Sequence, residues 1–390
     1  MTTLNTVFYD MYQKTKRIKD GNFLVDSTRV SSQELFDRAA FIINRTYVDS
    51  TMNHQDWGYW TKRYEGKILT DDDAEVAINT MIASLNEPYT RFMAKDDFNR
   101  LGVSIASKIY GIGVSIYNDS GNVTIYSVFP NSPAAKAGLK DGDVIVKVGK
   151  KECNGQNIDK VAEYIRGRKG SSVILIVRRG EELIENKIIR EDIKIPTIDA
   201  KIDDNIGLIK IESFLSSDMR MELEQALVKT QDCKGLIIDL RGNTGGLLGN
   251  AIFLADKFIK DGDIVKIVSR DSKLAESYKA NPAAKKLDKP VVILINGTSA
   301  SASEIFSGAM KDYKRAVLVG ETTFGKGMVQ SVVPLPNKTG VNITIAKYLT
   351  PAGTDINEKG VVPHVKVSSV RNGEDVQMLV AKRELAKLSK

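Results

Sequence analysis

The spacing of apolar residues changes twice along the chain, and each change marks a different type of structure. From Ser31, apolar side chains recur every three or four residues, as in an amphipathic helix, at Leu35, Phe36, Ala39, Ala40 and Ile43. A second helix is predicted from Thr70, because Thr70 and Asp73 form an acidic variant of the capping box before the apolar stripe 74–85. Residues 31–98 therefore predict a small helical region.

Residues 108–192 show the period of strands. Short β-rich runs, among them GIGVSIY, VTIYSVF, DVIVKV and VILIVRR, are separated by turn signals at 118–121 and 141–143. Two short helical pieces, 133–137 and 158–166, lie between these runs. The pattern predicts a small β-barrel-like domain with an exposed groove.

Residues 204–368 alternate between strand and helix patterns. The runs IGLIKI, GLIIDL and PVVILIN are almost continuously apolar, and residues 246–259 and 302–313 show helical spacing. Buried strands joined by helices predict an α/β layer with a largely parallel sheet. The tail, 375–388, predicts a helix that packs on the body or on a partner subunit through one apolar face, formed by Met378, Leu379, Leu385 and Leu388.

Composition limits the class of protein. The chain has 390 residues, which is too long for one compact core and indicates two or three domains. Its net charge of +7 comes from scattered lysines and arginines, so the sequence does not indicate nucleic-acid binding. Cys153 and Cys233 fall in different predicted domains, and their spacing indicates neither a disulfide framework nor a metal site.

The sequence carries no evident membrane or targeting signal. No run of 18 apolar residues encodes a transmembrane helix, and residues 1–21 lack the apolar centre of a signal peptide. The expectation is therefore either a cytoplasmic protein or one whose targeting segment is not part of this sequence.

Two motifs in the last third carry the candidate chemistry. The run NGTSASASEIFSGAMKD (296–312) places serines where an apolar strand turns into a helix, and VGETTFGKGMVQ (319–330) places Lys326 on a predicted strand. A serine nucleophile needs an adjacent base, and the two histidines, His54 and His364, lie near neither motif. Lysine is therefore the favoured base. The spacing leaves three serines nearly equivalent, and those that are not the nucleophile can cap the helix: Ser299, Ser301 and Ser303.

Several motifs together resemble one known family. GTSASASEI (297–305) resembles the nucleophile motif of the carboxyl-terminal processing peptidases, or tail-specific proteases, of serine peptidase family S41. GETTFGKGMVQ resembles that family's lysine motif, and DLRGNTGG (239–246) resembles its glycine-rich turn. The block from GIGVSI to DVIVKVGKK resembles its PDZ domain, and INTMIASLNEPYTRF and YLTPAGTDINEKGVVPHVKV are similar to its flanking segments. The motifs occur in the family's order over residues 31–370, which makes the resemblance specific.

The resemblance implies a multidomain α+β chain. We expect a helical N-terminal region at 1–98 and a β-barrel-like PDZ domain at 99–195. An α/β serine protease core with a largely parallel sheet is expected at 196–370, followed by a C-terminal helix at 371–390.

The resemblance also selects the residues of the reaction. It implies Ser301 as nucleophile, Lys326 as base and Gln330 as the residue that orients the lysine amine. Lys326 must be neutral to accept a proton, and burial against Phe324 and Met328 would lower its pKa. Side chains four residues apart on a strand face the same way, so Lys326 and Gln330 are expected on one face.

Backbone amides are expected to stabilise the oxyanion of the reaction. The start of the helix after the nucleophile presents unpaired N–H groups, which makes the Ala302 amide one donor. The resemblance implies a second donor in the glycine-rich turn, either Gly245 or Gly246. Three further residues are expected to support the site without acting on the substrate, namely Glu304, Asp312 and Thr323.

The PDZ-like block predicts how a substrate is captured. The segment Tyr110, Gly111, Ile112 and Gly113 can direct successive amides toward a C-terminal carboxylate, and the peptide would add as a strand beside 113–117. The implied partners are proteins or peptides with free C-termini and a second copy of the chain, in a homodimer or higher homo-oligomer. Neither a metal nor a cofactor is implied.

The resemblance further implies an extracytoplasmic location in the bacterial periplasm or cell envelope. The targeting segment would then be absent from this sequence, and that segment would place the protein close to a membrane. A cytoplasmic location is the alternative.

An ATPase is the first competing function. Gly320 and Gly325 before Lys326 approach the spacing of a phosphate-binding loop, and Asp239 ends a strand like that of a Walker B motif. Position 327 is glycine, so the hydroxyl that binds Mg²⁺ is missing. The following MVQSVVPLP favours a strand over the helix that would meet the phosphates, which disfavours this function.

A binding or scaffold protein is the second competing function. Such a protein would use the PDZ domain and contain a gated or inactive protease core, because a fold can persist without its chemistry. The presence of Ser301, Lys326, Gln330 and the complete glycine-rich turn argues against it.

Overall fold

The chain forms two compact units. The computed structural model describes residues 25–106, 108–119, 121–129, 131–194, 197–270, 274–368 and 374–388. Residues 1–24, which include the whole segment used for the targeting prediction, lie outside the described residues. The described parts of Met1–Ala106 and Thr197–Lys390 form one unit, and those of Ser107–Pro196 form the other. Among the described residues, no helix has both the length and the apolar character that crossing a membrane requires.

Helices dominate the first segment. Its elements are α1 (Ser32–Thr46), α2 (Trp57–Arg63), α3 (Asp71–Ala83), β1 (Arg91–Met93) and α4 (Lys95–Ala106). Every position of the stripe predicted in α1 is buried, which confirms the helical spacing. The capping box before α3 is also confirmed, because the Asp73 N–H donates to Thr70 Oγ1 and the Thr70 N–H donates to the Asp73 carboxylate. The boundary expected at residue 98 falls inside α4, and the contact-defined unit ends at Ala106.

The unit around residues 108–194 is built on antiparallel strands. Its elements are β2 (Lys108–Gly111), β3 (Val114–Asp119), β4 (Asn122–Val128), α5 (Pro133–Lys136), β5 (Val144–Val148), β6 (Lys151–Glu152), α6 (Ile158–Ile165), β7 (Ser172–Arg179), β8 (Glu182–Ile189) and β9 (Glu191–Lys194). The strand order is β3-β4-β5-β7-β8, with β6 on β5, and β2 pairs with β9. Strand β3 is an edge strand with α6 beside it.

The rest of the first unit is an alternation of strands and helices. Its elements are β10 (Ile198–Asp203), β11 (Ile206–Ile211), α7 (Met219–Lys229), β12 (Gly235–Asp239), α8 (Leu248–Asp256), β13 (Asp263–Ser269), β14 (Leu274–Lys279), β15 (Val291–Ile295), α9 (Ala302–Asp312), β16 (Val317–Gly320), β17 (Met328–Leu335), β18 (Thr339–Leu349), β19 (Val365–Lys366) and α10 (Val376–Leu388). One sheet has the order β10-β11-β12-β15-β16-β19, in which β10 and β11 are antiparallel and the other neighbours are parallel. The predicted strand after Lys326 is present as β17.

A second sheet, which the sequence analysis does not anticipate, connects the two segments of this unit. Its order is β1-β18-β13-β14, with β17 also paired to β18, and its pairs are antiparallel. Leu335, Val341 and Ile343 from this sheet share one buried cluster with the apolar residues of α1 and α3. The N-terminal helices therefore cover the second sheet and do not form a core of their own.

The C-terminal helix α10 buries only part of the predicted apolar face. Its buried row is Gln377, Ala381 and Leu385, and the last two pack on residues of β12, β15 and β16. The predicted apolar face is therefore confirmed at Leu385 and at the partly buried Met378, and it is wrong at Leu379 and Leu388, which are 52% and 45% exposed. A polar residue enters the buried row because the Gln377 side-chain amide donates to a backbone carbonyl.

Candidate active site

Three neighbouring strands end at the segments that carry the candidate residues. Strand β12 leads into the glycine-rich turn 240–246, β15 into the loop 296–301 before α9, and β16 into the loop 321–327. These strands are parallel and adjacent, so their carboxyl ends lie at the same edge of the sheet. The fold thereby brings the turn, Ser301 and Lys326 to one edge.

Ser301 occupies a strained turn immediately before α9. Its φ of 54° and ψ of −113° lie outside the regions that residues with a Cβ favour. The Ser301 N–H donates to Oε2 of Glu304 (2.7 Å), and the Glu304 N–H donates to the Ser301 carbonyl (2.8 Å). A serine on a sharp strand-to-helix turn has the backbone arrangement of a nucleophile elbow.

The two neighbouring serines use their hydroxyls to bind the glycine-rich turn. Ser299 Oγ donates to the Leu240 carbonyl (2.8 Å), and Ser303 Oγ donates to the Asn243 carbonyl (3.0 Å). The prediction that these serines cap α9 is therefore wrong. Both hydroxyls serve to attach the loop to the turn, which distinguishes them from Ser301.

The glycine-rich turn packs directly against Ser301. A Cβ on Gly245 would lie 2.7 Å from the Ser301 Cβ, and a Cβ on Gly246 would lie 2.2 Å from a backbone nitrogen, so neither position has room for a side chain. The Gly245 N–H donates to Oδ1 of Asn243 (2.8 Å) and is already used. Within the described residues, the Gly246 and Ala302 amides donate to no acceptor. These two amides therefore remain the candidate oxyanion donors.

Lys326 lies in the loop before β17, so its predicted place on a strand is wrong. Its N–H donates to Oε2 of Glu304 (2.9 Å), and its carbonyl accepts a hydrogen bond from the Tyr348 hydroxyl (2.6 Å). The amine nitrogen Nζ lies 4.8 Å from the centre of the Tyr89 ring. The backbone and the side chain of Lys326 are thus held by different parts of the unit.

Burial lowers the pKa of the Lys326 amine, because desolvation penalises the charged form. The carboxylates of Glu87 and Glu304 oppose this change in pKa, whereas the guanidinium of Arg91 adds to it. The net lowering of this pKa increases the fraction of neutral amine, which is the form that a general base requires.

The three residues expected around Lys326 differ in their surroundings. Phe324 is 57% exposed and does not form the wall of a pocket, whereas Met328 is half-buried. The Gln330 amide Nε2 donates to Thr344 Oγ1 (3.4 Å), and the register of β17 shifts between Val329 and Gln330. This irregularity, together with the position of Lys326 outside the strand, removes the basis for placing Lys326 and Gln330 on one strand face.

Glu304 connects the serine motif to the lysine motif. It is fully buried in the first turn of α9, where the helix dipole favours a negative charge. Its carboxylate accepts four hydrogen bonds, from the N–H of Ser301 (2.7 Å), Thr323 Oγ1 (2.5 Å), the N–H of Gly325 (2.7 Å) and the N–H of Lys326 (2.9 Å). Because one carboxylate binds the backbone of both candidate residues, it fixes their relative position.

The other two residues expected to support the site differ in their distance from it. Thr323 Oγ1 donates to Glu304 and accepts from the Val361 N–H (2.6 Å), so it lies at the site. Asp312 lies at the other end of α9, where it accepts a hydrogen bond from the Ala352 N–H (2.8 Å). Asp312 therefore holds a distant loop.

The residues predicted for peptide recognition follow one another in the other unit. Tyr110 and Gly111 belong to β2 and pair with β9. The carbonyls of Ile112 and Gly113 accept hydrogen bonds from backbone N–H groups at the start of α5 and just after β4. Gly113 has a φ of 83° and leads into the edge strand β3. Capture of a carboxylate by these amides stays a prediction.

The sequence analysis missed three residues of the site. Tyr348 is almost fully buried, and its hydroxyl lies within hydrogen-bonding distance of the carbonyls of Ser301 (3.2 Å) and Lys326 (2.6 Å). Tyr89 covers the lysine amine, and Asn243 orders the turn through its side chain. Each lies in a segment that resembles the family, so the sequence indicated the segment but not the contact that the residue makes.

Replacing Glu304 by glutamine is expected to lower the free energy of unfolding by about 3 kcal/mol. The new side-chain NH₂ group would face backbone N–H groups that now donate to the carboxylate, and these buried donors would lose their acceptor. Urea unfolding measures this change. Asp312→Asn, at the distant end of the same helix, is the matched control and should cost less than about 1 kcal/mol. Equal losses in both variants would contradict the role assigned to Glu304.

Sequence comparisons identify the relatives of this chain. Residues 205–367 match the family described as Peptidase family S41, and residues 124–179 match the PDZ domain. The chain is 39% identical over 303 residues to the carboxy-terminal processing protease CtpA of Bacillus subtilis, covering 76% of this chain and 65% of that protein. It is 34% identical over 343 residues to the carboxyl-terminal-processing protease of Synechocystis sp., covering 85% of this chain and 80% of that protein.

A comparison with solved structures agrees with the sequence matches. The photosystem II D1 C-terminal processing protease superimposes with a TM-score of 0.57 at 32% sequence identity, over 87% of this chain and 94% of that chain. The likeness thus spans both the PDZ domain and the α/β core. Because relatives above 30% identity are matched over most of their length, this chain belongs to peptidase family S41 and is a serine-type peptidase of the carboxyl-terminal processing group.

Proposed function

We propose that the chain is an endopeptidase that uses Ser301 as nucleophile and Lys326 as general base. The observation that carries this proposal is the buried carboxylate of Glu304, which binds the backbone N–H groups of both residues. The lowered pKa of Lys326 supports the role of base, and the engaged hydroxyls of Ser299 and Ser303 support the choice of nucleophile.

The reaction follows the order of an acyl transfer. Ser301 Oγ attacks the carbonyl carbon of the scissile peptide while the Lys326 amine takes the hydroxyl proton. The Ala302 and Gly246 amides donate to the resulting oxyanion, and each such donor is typically worth about 3 kcal/mol in the transition state. The proton then passes from Lys326 to the leaving nitrogen as the C–N bond breaks. Water attacks the acyl-enzyme with Lys326 again as base, which releases the acid and restores Ser301.

The substrates that we propose are proteins and peptides with a free C-terminus. Edge strand β3 and its neighbour α6 form the kind of groove to which an extended peptide adds as a strand, and the segment 110–113 precedes this strand. The names of the relatives describe carboxyl-terminal processing, which agrees with this substrate class. An extracytoplasmic location and a homo-oligomeric state belong to the same proposal.

The test of substrate capture uses two peptides of identical sequence, one ending in a carboxylate and the other in a carboxamide. In ATP-free buffer, we expect kcat/KM to be about 10-fold higher for the carboxylate peptide, mainly through KM, because charge-assisted hydrogen bonds are lost with the amide. A short peptide that spans only the cleaved bond serves as the control for the core. Equal kcat/KM values would remove C-terminal capture and leave the peptidase. Cleavage of neither peptide would favour the scaffold alternative.

A further inference from the structure

Arg241 lies inside the glycine-rich turn and takes no part in the proposed proton transfer. Its side chain is 18% exposed and lies between carboxylates from two elements. Its Nε and Nη2 donate to Asp239 at the end of β12 (2.9 and 2.6 Å), and its Nη1 and Nη2 donate to Asp375 just before α10 (2.8 and 2.9 Å). Nη1 also donates to Oε1 of Gln377 (3.2 Å). One guanidinium therefore joins the turn to the C-terminal helix.

The helix side of this link is fixed in place. Asp375 Oδ1 accepts a hydrogen bond from the Met378 N–H (3.0 Å), which caps the first turn of α10. Gln377 is fully buried and donates from Nε2 to the Val367 carbonyl (2.8 Å). Further along the helix, the buried Leu385 packs against the parallel sheet. The partners of Arg241 therefore belong to a docked element.

The other side of the link leads directly to the candidate oxyanion site. The Gly242 N–H donates to Oδ1 of Asn296 (3.1 Å), and the Ala300 N–H donates to the Asn243 carbonyl (3.0 Å). One residue with a φ of 81°, Gly242, separates Arg241 from Asn243. Glycine adds little stiffness of its own, so the position of Asn243 depends on anchors on both sides.

The charges of this link persist over the pH range in which the enzyme would work. Burial, the largest single influence, would raise the pKa of Asp375, but the hydrogen bonds that the carboxylate accepts from Arg241 and from backbone N–H groups, together with the positive charge of Arg241, outweigh burial and lower that pKa. Burial would likewise lower the pKa of Arg241, and the two aspartates raise it instead. The link is therefore a constant structural constraint on the turn.

We propose that Arg241 and Asp375 are positioning residues through which the C-terminal helix holds the glycine-rich turn in the geometry that stabilises the oxyanion. This inference rests on the proposed role of the turn in the reaction. It gives the helix at 376–388 a function in the chemical step in addition to its packing on the sheet. A displacement of the turn by about 1 Å can cost roughly 100-fold in rate, so loss of one anchor has a measurable effect.

The test compares two variants that each remove one polar link of the same helix. Asp375→Asn removes the negative charge on the helix side of Arg241. Asp203→Asn removes the ion pair between Asp203, at the end of β10, and Lys382 of the same helix. For both variants, three quantities are measured: kcat and KM on a fluorogenic peptide, the Ki of a peptide boronic acid of the same sequence, and the midpoint of urea unfolding. The boronate forms a tetrahedral adduct on the nucleophile and places an oxygen at the oxyanion site.

We expect Asp375→Asn to lower kcat about 10-fold or more, to leave KM within about twofold, and to weaken the boronate by a similar factor. Asp203→Asn should lower the unfolding midpoint and keep kcat. Arg241→Lys retains the positive charge beside Asp239 but has no second arm for Asp375, so it should reproduce the loss of kcat. If Asp375→Asn does not fold, the kcat of Arg241→Lys tests the inference.

The inference is overturned if Asp375→Asn and Arg241→Lys lose stability as Asp203→Asn does while their kcat and boronate affinity stay at the wild-type values. The link would then hold only the helix. If Ser301 and Lys326 are not the nucleophile and base, the result is different, because the wild-type enzyme would not bind the boronate or Ser301→Ala would remain active.

Discussion

Replacing Ser301 by alanine is expected to lower kcat by roughly 10⁴-fold to 10⁶-fold, which in practice abolishes cleavage. The hydroxyl is the atom group that forms the acyl-enzyme, and the remaining oxyanion donors cannot replace a nucleophile. Hydrolysis of an unfolded protein without ATP measures the loss. In the wild-type enzyme, a fluorophosphonate should label Ser301, and peptide mapping of the labelled protein locates the modified residue.

The neighbouring serines supply the matched controls for this experiment. Ser299→Ala and Ser303→Ala each remove one hydrogen bond to the glycine-rich turn and keep the nucleophile. Each is expected to reduce activity by about 10-fold, which corresponds to about 1.4 kcal/mol, and to retain labelling at Ser301. Full activity in Ser301→Ala, or a label on one of the other two serines, would show that the nucleophile is wrongly assigned.

The backbone at Ser301 adds a second expected result for the same position. Its φ of 54° and ψ of −113° are unfavourable for any residue with a Cβ. Ser301→Gly should therefore be inactive and yet more stable than Ser301→Ala by about 1 kcal/mol. Glycine is also a better N-cap residue than alanine, whereas serine caps a relaxed helix start at least as well as glycine, so a Ser301→Gly variant that is more stable than the wild type would identify strain stored at the nucleophile.

The sequence predicted the parts of this site that depend on local patterns. Buried parallel strands were recognisable from IGLIKI, GLIIDL and PVVILIN, and the motifs follow the ends of such strands. Once the strands β12, β15 and β16 are adjacent, the turn, the serine loop and the lysine loop must meet. Local pattern and strand order together therefore account for the general location of Ser301 and Lys326.

The contacts that complete the site come from distant segments and have no local signal. Tyr89 reaches the Lys326 amine because β1 pairs with β18, a pairing between segments about 250 residues apart. Arg241 meets Asp375 across 134 positions of the sequence. The apolar pattern of α10 was also only partly informative, since Leu385 is buried as expected but a hydrogen-bonded Gln377 is buried while Leu379 and Leu388 are exposed. Such contacts depend on tertiary packing, which amphipathic spacing does not encode.

Replacing Lys326 by methionine is expected to lower kcat/KM by about 10⁴-fold, since general acid–base catalysis supplies 10²-fold to 10⁴-fold and the amine acts in both half-reactions. Methionine retains much of the length and apolar volume of the side chain beside Tyr89. The exposed Lys359, in the neighbouring loop, gives the control variant Lys359→Met, which should keep full activity. Activity in Lys326→Met close to the wild-type value would remove the lysine from the reaction.

The pH dependence of the wild-type enzyme should show the same residue. The reactive form is the neutral amine, so kcat/KM is expected to rise with pH through the pKa of Lys326, which burial places below the ordinary value of about 10.4. Replacing Tyr89, whose ring covers Nζ, by alanine would hydrate the amine, raise its pKa and move this rise to higher pH. A profile that is flat from pH 6 to pH 10 would contradict a lysine base.

The stability of the Lys326→Met variant tests the pKa shift without any substrate. A lysine whose pKa is lower in the folded than in the unfolded state leaves the unfolded state with more bound protons between those two pKa values. Wild-type stability should therefore rise with pH in that window, and the penalty is largest below the folded pKa. Lys326→Met lacks this penalty and should exceed the wild type most at neutral pH, with the difference shrinking toward about pH 10.4. Parallel urea-unfolding results for the two proteins across this range would contradict the shift, whereas a variant that is more stable and inactive would identify Lys326 as a residue retained for the reaction at the expense of the fold.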